Sequence, residues 1–171
     1  MATSKVKERS AARGPAAEDP LALEQQVCFA LSIASRSVLG VYRPLLEPMG
    51  LTHPQYLVML ALWQRDALLL DEQPVEALSV KELGALLQLD SGTLSPLLKR
   101  LESGGLVRRR REPRDERSVT VSLTDAGRAL RAQAERIPHQ VVARLGIDIA
   151  ELQDLHRALT RVIAAAARAT S

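Results

Sequence analysis

Two long apolar seams bracket this chain. Near its start Val27, Leu31, Ala34, Val38, Val41 and Leu45 recur at alternating spacings of four and three residues, and near its end Ile149, Leu152, Leu155, Leu159, Val162 and Ala166 follow a similar rhythm. That period marks one face of an α-helix of coiled-coil type, a face that needs another helix to pack against. A chain with such seams at both ends is constrained to a mainly helical fold. Hydrophobic residues make up 46 % of it, enough for a core, but Phe29, Tyr42, Tyr56 and Trp63 are the only aromatics. The core must be built from Leu, Val and Ala, which suits packed helices. No apolar run approaches the ~20 residues of a membrane span. Residues 1–18 are polar, Ala-rich and without period, with no apolar segment of a secretory signal, and are expected to be a disordered tail. One cysteine cannot form an internal disulfide, so a cytoplasmic location is the simple expectation. No His/Cys cluster has metal-ligand spacing, and neither metal nor cofactor is expected.

The signals between the seams are short and well punctuated. Asp19 and Pro20 read as a helix start, and Pro44 and Pro48 as its end or kink. Thr52 and Gln55 form a capping box, with Pro54 in the first turn of a second helix. Its run Tyr56 to Trp63 is almost wholly apolar, which makes that helix central and Tyr56 and Trp63 core residues. Residues 66–78 read as a connection. Ser79 caps a short helix with Val80, Leu83, Leu86 and Leu87 on one face. Asp90 to Thr93 is a turn plus cap, followed by Leu94, Leu97, Leu98 and Leu101 on one face and a stop at Gly104 and Gly105. Leu106–Arg111 and Ser118–Leu123, joined by EPRDE, read as a β-hairpin. Thr124 caps a long helix reaching about Pro138, and a last helix starts near Asp148. His139 and His156 read as helix-surface residues.

Net charge is only +3, but it is unevenly placed. Residues 91–117 hold eight basic residues (Lys99, Arg100, Arg108, Arg109, Arg110, Arg111, Arg114, Arg117) against four acidic ones (Glu102, Glu112, Asp115, Glu116). Positive charge focused on one segment is an electrostatic footprint for nucleic acid. Two short helices with a tight turn between them, then a basic hairpin, make a winged helix-turn-helix. The leucines of its second helix face inward and leave Ser91, Thr93, Ser95, Lys99 and Arg100 toward DNA. Small hydroxyls near the helix start can reach base edges in the major groove, and Lys99 and Arg100 can bind phosphate. At the hairpin tip Arg114 and Arg117, with Asp115 beside them, can enter the minor groove. The bland reading, a solvated arginine face on ordinary packed helices, does not account for the whole constellation.

The stretch LDSGTLSPLLKRLESGGLVRRRREPRDERSVTVSLTDAGR resembles the winged helix-turn-helix of the MarR family, most specifically in its DERSV wing and SLTDAG helix start. The resemblance runs from about Leu21 to about Ala166. It implies one domain over 19–171, with dimerisation helices at 19–48 and 124–168 and a DNA-binding lobe at 52–123. The first and last helices of a homodimer would interleave, covering seams that the small lobe of the same chain cannot cover. A two-fold dimer places two recognition helices about one DNA turn apart, so the double-stranded operator should be near-palindromic.

Within that family, LEQQVCFAL, SIASR, YRPLL, THPQYLVMLALW and LDSGTL resemble the organic-hydroperoxide-resistance regulators, in which a cysteine at the position of Cys28 senses peroxide. A lone cysteine fits the one-cysteine type, where a sulfenic acid goes on to a mixed disulfide with a low-molecular-weight thiol or is over-oxidised. The resemblance implies that Tyr42 hydrogen-bonds the Cys28 thiolate. On a continuous helix the 14 residues between them span about 21 Å at ~1.5 Å per residue, so Tyr42 must come from the other subunit. The chain departs from the branch at His53, where a tyrosine is usual, and at Ser32. His53 can still donate to a thiolate, more strongly when protonated, from the first turn of a helix whose dipole favours an anion.

The leading expectation is a repressor, not an enzyme, that releases its operator when organic hydroperoxide oxidises Cys28. The competing one is a MarR-type repressor released by a small aromatic ligand, with Cys28 a small buried hydrophobe. A thiol peroxidase would need a base, metal or cofactor motif beside Cys28, and none is visible. A partner-binding protein that had lost DNA contact would leave the basic wing unexplained.

Overall fold

The computed structural model describes Asp19 and residues 21–70, 77–112 and 115–169. The expected tail 1–18, Pro20, residues 71–76 of the expected connection and Arg114, expected at the wing tip, lie outside the described residues. The described residues fall into two compact units whose boundary lies between Ser37 and Val38, inside the first helix.

In the first unit a 3-10 turn, Leu23–Gln25, leads to helix α1 (Val27–Leu46). The expected helix start at Asp19 is corrected. Its carboxylate accepts from the Leu21 N–H at 3.0 Å, but it closes only a turn. Gln26 stands in extended backbone at ψ 118°, which separates that turn from the helix.

The second unit opens with the rest of α1, including Pro44. A 3-10 turn at Glu47–Met49 contains Pro48 and is closed by Gly50 at φ 66°, the left-handed conformation that suits glycine. Helix α2 (His53–Leu70) follows. It overruns the expected connection at 66–78, because Ala67–Leu70 are strong helix formers. At its start Gln55 Oε1 accepts from both the N–H and the hydroxyl of Thr52, at 2.9 and 2.8 Å.

Strand β1 (Leu78–Ser79) and helix α3 (Val80–Leu87) come next. Ser79 and Glu82 form a reciprocal capping box. Leu83 is fully buried, but Leu86 is 59 % exposed, which corrects its expected place on the inner face. It lies about 100° of helix rotation from Leu87.

Helix α4 (Ser91–Ser103) is capped by Asp90, which accepts from the Thr93 N–H at 2.8 Å. Leu94, Leu97, Leu98 and Leu101 are buried, as expected. Gly105, at φ 71°, ends the helix in a Schellman motif: Leu106 N–H donates to the Leu101 carbonyl at 3.0 Å and Gly105 N–H to that of Glu102 at 2.9 Å. Pro96 sits in the second turn of α4.

The hairpin is β2 (Val107–Glu112) and β3 (Asp115–Leu123), longer than expected because β3 already begins at Asp115. The sheet has three antiparallel strands in the order β1-β3-β2, with Leu78 opposite Val121 and Val107 opposite Leu123. β1 was not foreseen, since two residues carry no periodic signal.

Thr124 caps helix α5 (Asp125–Ala134) through the Gly127 N–H at 3.0 Å. The expected single helix from Thr124 to Pro138 is two helices. Pro138 opens α6 (Ile137–Leu145) rather than closing α5, because a first-turn residue needs no intrahelical donor. Asp148 then accepts from the Ala150 N–H at 2.8 Å at the start of α7 (Ile149–Ala169). The core joins Leu46, Val58, Met59, Leu62 and Trp63 to Leu83, Leu94, Leu98 and Leu101, with Val107 and Val121 from the sheet and Ile137 and Val141 from α6.

Candidate functional site

The basic surface is built on α4 and the strands after it. With four leucines of α4 buried, Ser91, Thr93, Ser95, Lys99 and Arg100 are all exposed. The Thr93 hydroxyl is committed to the cap, donating to Asp90 at 3.0 Å, and can still accept from a ligand. These hydrogen bonds hold the Asp90 carboxyl below the usual carboxylate range, so the cap is ionised at neutral pH. A cleft of about 700 Å³ opens between α3, α4 and the sheet, with Lys81, Ser91, Ser95, Arg109 and Ser118 in its walls. Asp115 and Arg117 lie on β3; their side chains are outside the described part of the structure.

One arginine of the basic run has a structural task. Glu102 of α4 accepts from the Arg109 backbone N–H at 3.0 Å and its Nε at 2.8 Å, with a guanidinium nitrogen at 2.7 Å. This pairing holds the Glu102 carboxyl below its ordinary value and ties β2 to the recognition helix. Sequence reasoning counted both residues as charge and missed the pair, which joins a helix to a strand across a turn and has no spacing signature. Arg108 and Arg110 point to the opposite face of β2, exposed and without a carboxylate partner among the described residues.

The residues expected at the thiol lie in different units. In the first, Cys28 is exposed on α1, and the Ser32 hydroxyl donates to its carbonyl at 2.8 Å. The expectation of a buried hydrophobe does not fit this chain on its own. In the second unit the rings of Tyr42 and His53 stand 5.1 Å apart, edge to face. Tyr42 also packs on Tyr56, 6.1 Å between centroids. Burial raises the Tyr42 phenol above its ordinary value and lowers the His53 imidazole below 6.5. At neutral pH His53 is therefore uncharged. It offers a hydrogen bond and not the cation considered from the sequence. A cleft of about 520 Å³ lies beside it, walled by Leu39, Arg43, Glu47, Leu51 and Thr52. His139 and His156 are exposed on their helices, and Tyr56 and Trp63 are buried at 3 % and 4 % exposure, as expected.

Among the described residues no group of side chains could hold a metal ion, and no helix is long and apolar enough to cross a membrane.

Comparison with known proteins agrees with this geometry. Residues 40–133 match the family model described as transcriptional regulator SarA/Rot. The chain is 46 % identical over 138 residues to the HTH-type transcriptional regulator TtmR of Methylorubrum extorquens, covering 81 % of this chain and 66 % of that longer protein, just under two thirds of its length. It is 42 % identical over 138 residues to the organic hydroperoxide resistance transcriptional regulator of Bacillus subtilis, covering 79 % of this chain and 87 % of the relative. A crystal structure of a MarR-family transcriptional regulator from Rhodococcus sp. RHA1 superposes with a TM-score of 0.68 at 26 % identity, over 83 % of this chain and 95 % of that one. With a winged helix-turn-helix between two seam-bearing helices and relatives of this closeness, the chain belongs to the MarR family of transcription regulators, on its organic-hydroperoxide-resistance branch.

Proposed function

We propose that this protein is a dimeric DNA-binding repressor that releases its operator when an organic hydroperoxide oxidises Cys28. The observation that carries the reading is the chain's single cysteine, exposed on α1, in a chain whose relatives include an organic hydroperoxide resistance regulator.

Residues 19–48 and 124–168 serve as dimerisation helices around a lobe at 52–123. In support, α7 buries no residue within its own chain, and Val27, Leu31, Leu155 and Val162 of the two seams are exposed. A second copy covers them. The dimer presents two α4 helices to a near-palindromic operator, with Ser91, Thr93 and Ser95 toward base edges, Lys99 and Arg100 on phosphates, and Arg114, Asp115 and Arg117 at the minor groove.

The chemistry needs a thiolate and a peroxide. The Cys28 sulfur attacks one peroxide oxygen, the O–O bond breaks, and the alkoxide leaves and takes a proton. The products are a sulfenic acid and an alcohol. A low-molecular-weight thiol then condenses with the sulfenic acid to give a mixed disulfide and water. Because α1 is unbroken from Val27 to Leu46, the thiolate receives Tyr42 and His53 from the partner subunit, and the cleft beside His53 takes the organic group of the peroxide. Oxidation in that interface alters how the subunits sit and hence the spacing of the two α4 helices. The protein acts as a regulator and not as a turnover enzyme, so peroxide consumption stops near one equivalent per subunit.

The test is binding of reduced protein to the DNA upstream of its own gene, at fixed salt, before and after one equivalent of cumene hydroperoxide. The wild type should release the DNA and recover with added thiol, while Cys28→Ser should bind and ignore the oxidant. Tight binding by wild type that persists after complete oxidation of Cys28 would overturn the sensing role.

A further inference from the structure

We infer that Trp63, which touches neither DNA nor oxidant, is a positioning residue that transmits the state of the Tyr42–His53 site to the base of the wing. The inference rests on the peroxide-sensing reading above. A line of ring contacts leads to Trp63. Tyr42 meets His53 at 5.1 Å and Tyr56 at 6.1 Å, and Tyr56 meets Trp63 at 6.4 Å. Tyr56 and Trp63 are seven residues apart on α2, two turns along one face. Both are almost wholly buried, in a close-packed interior that passes displacement on rather than absorbing it.

At the far end of this line the indole Nε1–H of Trp63 donates to the Gly127 carbonyl at 2.8 Å. Gly127 lies directly on the start of the wing: a Cβ there would stand 2.1 Å from the Leu106 carbonyl oxygen. That same oxygen accepts from the Thr124 N–H at 3.1 Å. One turn further along α2, Asp66 pairs with Arg128 of α5 at 3.0 Å. Helix α2 thus meets the proposed thiol-partner rings at its first turn and grips the α5–wing junction in its second half. A buried indole N–H is costly to leave unbonded, so a shift of the indole carries the Gly127 carbonyl with it. When oxidation of Cys28 changes what Tyr42 bonds, Tyr56 and Trp63 shift with it, and the junction beneath the wing must follow.

The experiment compares wild type with Trp63→Phe, which keeps an apolar ring and removes the N–H. Operator binding is measured at fixed salt before oxidation, and again after mass spectrometry shows Cys28 fully oxidised. Reduced W63F should bind within about twofold of wild type. Oxidation should weaken wild-type binding about tenfold or more, a usual size for coupling between sites, and W63F less than about threefold. Trp63 is the only tryptophan of the chain, so wild-type tryptophan emission should change in step with release. Release by W63F as complete as that of wild type overturns the inference, and so does emission that stays constant through release. If W63F does not fold, Asp66→Asn breaks the neighbouring grip and is held to the same criterion. Wild type that keeps the operator after full oxidation sinks the sensing reading itself and this inference with it, a result distinct from normal release by the variant.

Discussion

At Gly127 helix α5 crosses the base of the wing so closely that one added methyl group would collide with the Leu106 backbone. Backbone cannot step aside as a flexible side chain can. We expect Gly127→Ala to destabilise the fold by about 3 kcal/mol, at the upper end of overpacking costs, read as a lower urea midpoint with an unchanged slope. An unaltered midpoint would show that the junction is looser than its geometry. His53 makes stability depend on pH. Burial lowers its pKa below the 6.5 of the unfolded chain, so between the two values the unfolded state holds the proton more tightly. Stability is therefore full above about pH 6.5 and falls as pH drops through the folded value. His53→Gln should flatten the fall in urea midpoint between pH 7.5 and pH 5.5, a range above the lowered carboxyl values of Glu82, Asp90 and Glu102. An equal fall in both proteins would place the titration elsewhere. The residues of the proposed thiol site, Cys28, Tyr42 and His53, are legible in the sequence because they stand in motifs shared with the branch. The charge state of His53 is not, because desolvation depends on what packs around the ring.

Among the elements, Glu102 of α4 holds Arg109 of β2 through three contacts and so ties the recognition helix to the first strand of the wing. Glu102→Gln separates two effects of opposite sign. Removing a negative charge beside the DNA-binding face should tighten binding on electrostatic grounds. Loss of the clamp should weaken it by letting the wing swing. The pair is about one-third exposed on each side, so solvent reduces its strength. We still expect positioning to win, with reduced-protein affinity for the operator falling about fivefold, since charged hydrogen bonds outweigh neutral ones. An increase in affinity would mean that the wing needs no clamp. The cap of α4 is simpler: Asp90→Ala should lower the urea midpoint and the melting temperature, because the Thr93 N–H loses its acceptor, and an unchanged midpoint would show that water replaces the cap. Elements with a physical signature in sequence were legible, such as α3 and α4 with their Ser79 and Asp90 caps and leucine faces, and the Gly104–Gly105 stop. The misread ones lacked such a signature or had an ambiguous one. β1 is two residues long and exists only because β3 offers it an edge. Pro138 can end one helix or open another, and only the burial of Ile137 and Val141 decides for α6.

Each chain carries two apolar seams: on α1 the first half, Val27, Leu31 and Ala34, is exposed while Val41 packs against the core and Leu45 lies in it, and α7 buries no residue. Ile149, Leu155, Val162 and Ile163 all stand more than 40 % exposed, on a helix that buries nothing at home. Isolated exposed apolar residues are ordinary, whereas a stripe repeated at helical period is an interface. The proposed dimer follows from this stripe, and its symmetry sets the spacing of two recognition helices at about 34–36 Å, one turn of DNA. Leu155→Glu together with Val162→Glu places charge in the middle of the seam while leaving the core of the lobe untouched. The solution mass should fall from twice 18.7 kDa to that of one chain, with far-ultraviolet circular dichroism largely kept. Each lobe would still fit a half-site, but the second contact would no longer be made at high effective concentration. Affinity for the full palindrome should then drop about a hundredfold, toward that for a half-site. Full operator affinity in a species shown to be monomeric would mean that one lobe suffices. The seams would then need another occupant, and Cys28 could not draw Tyr42 and His53 from a second subunit.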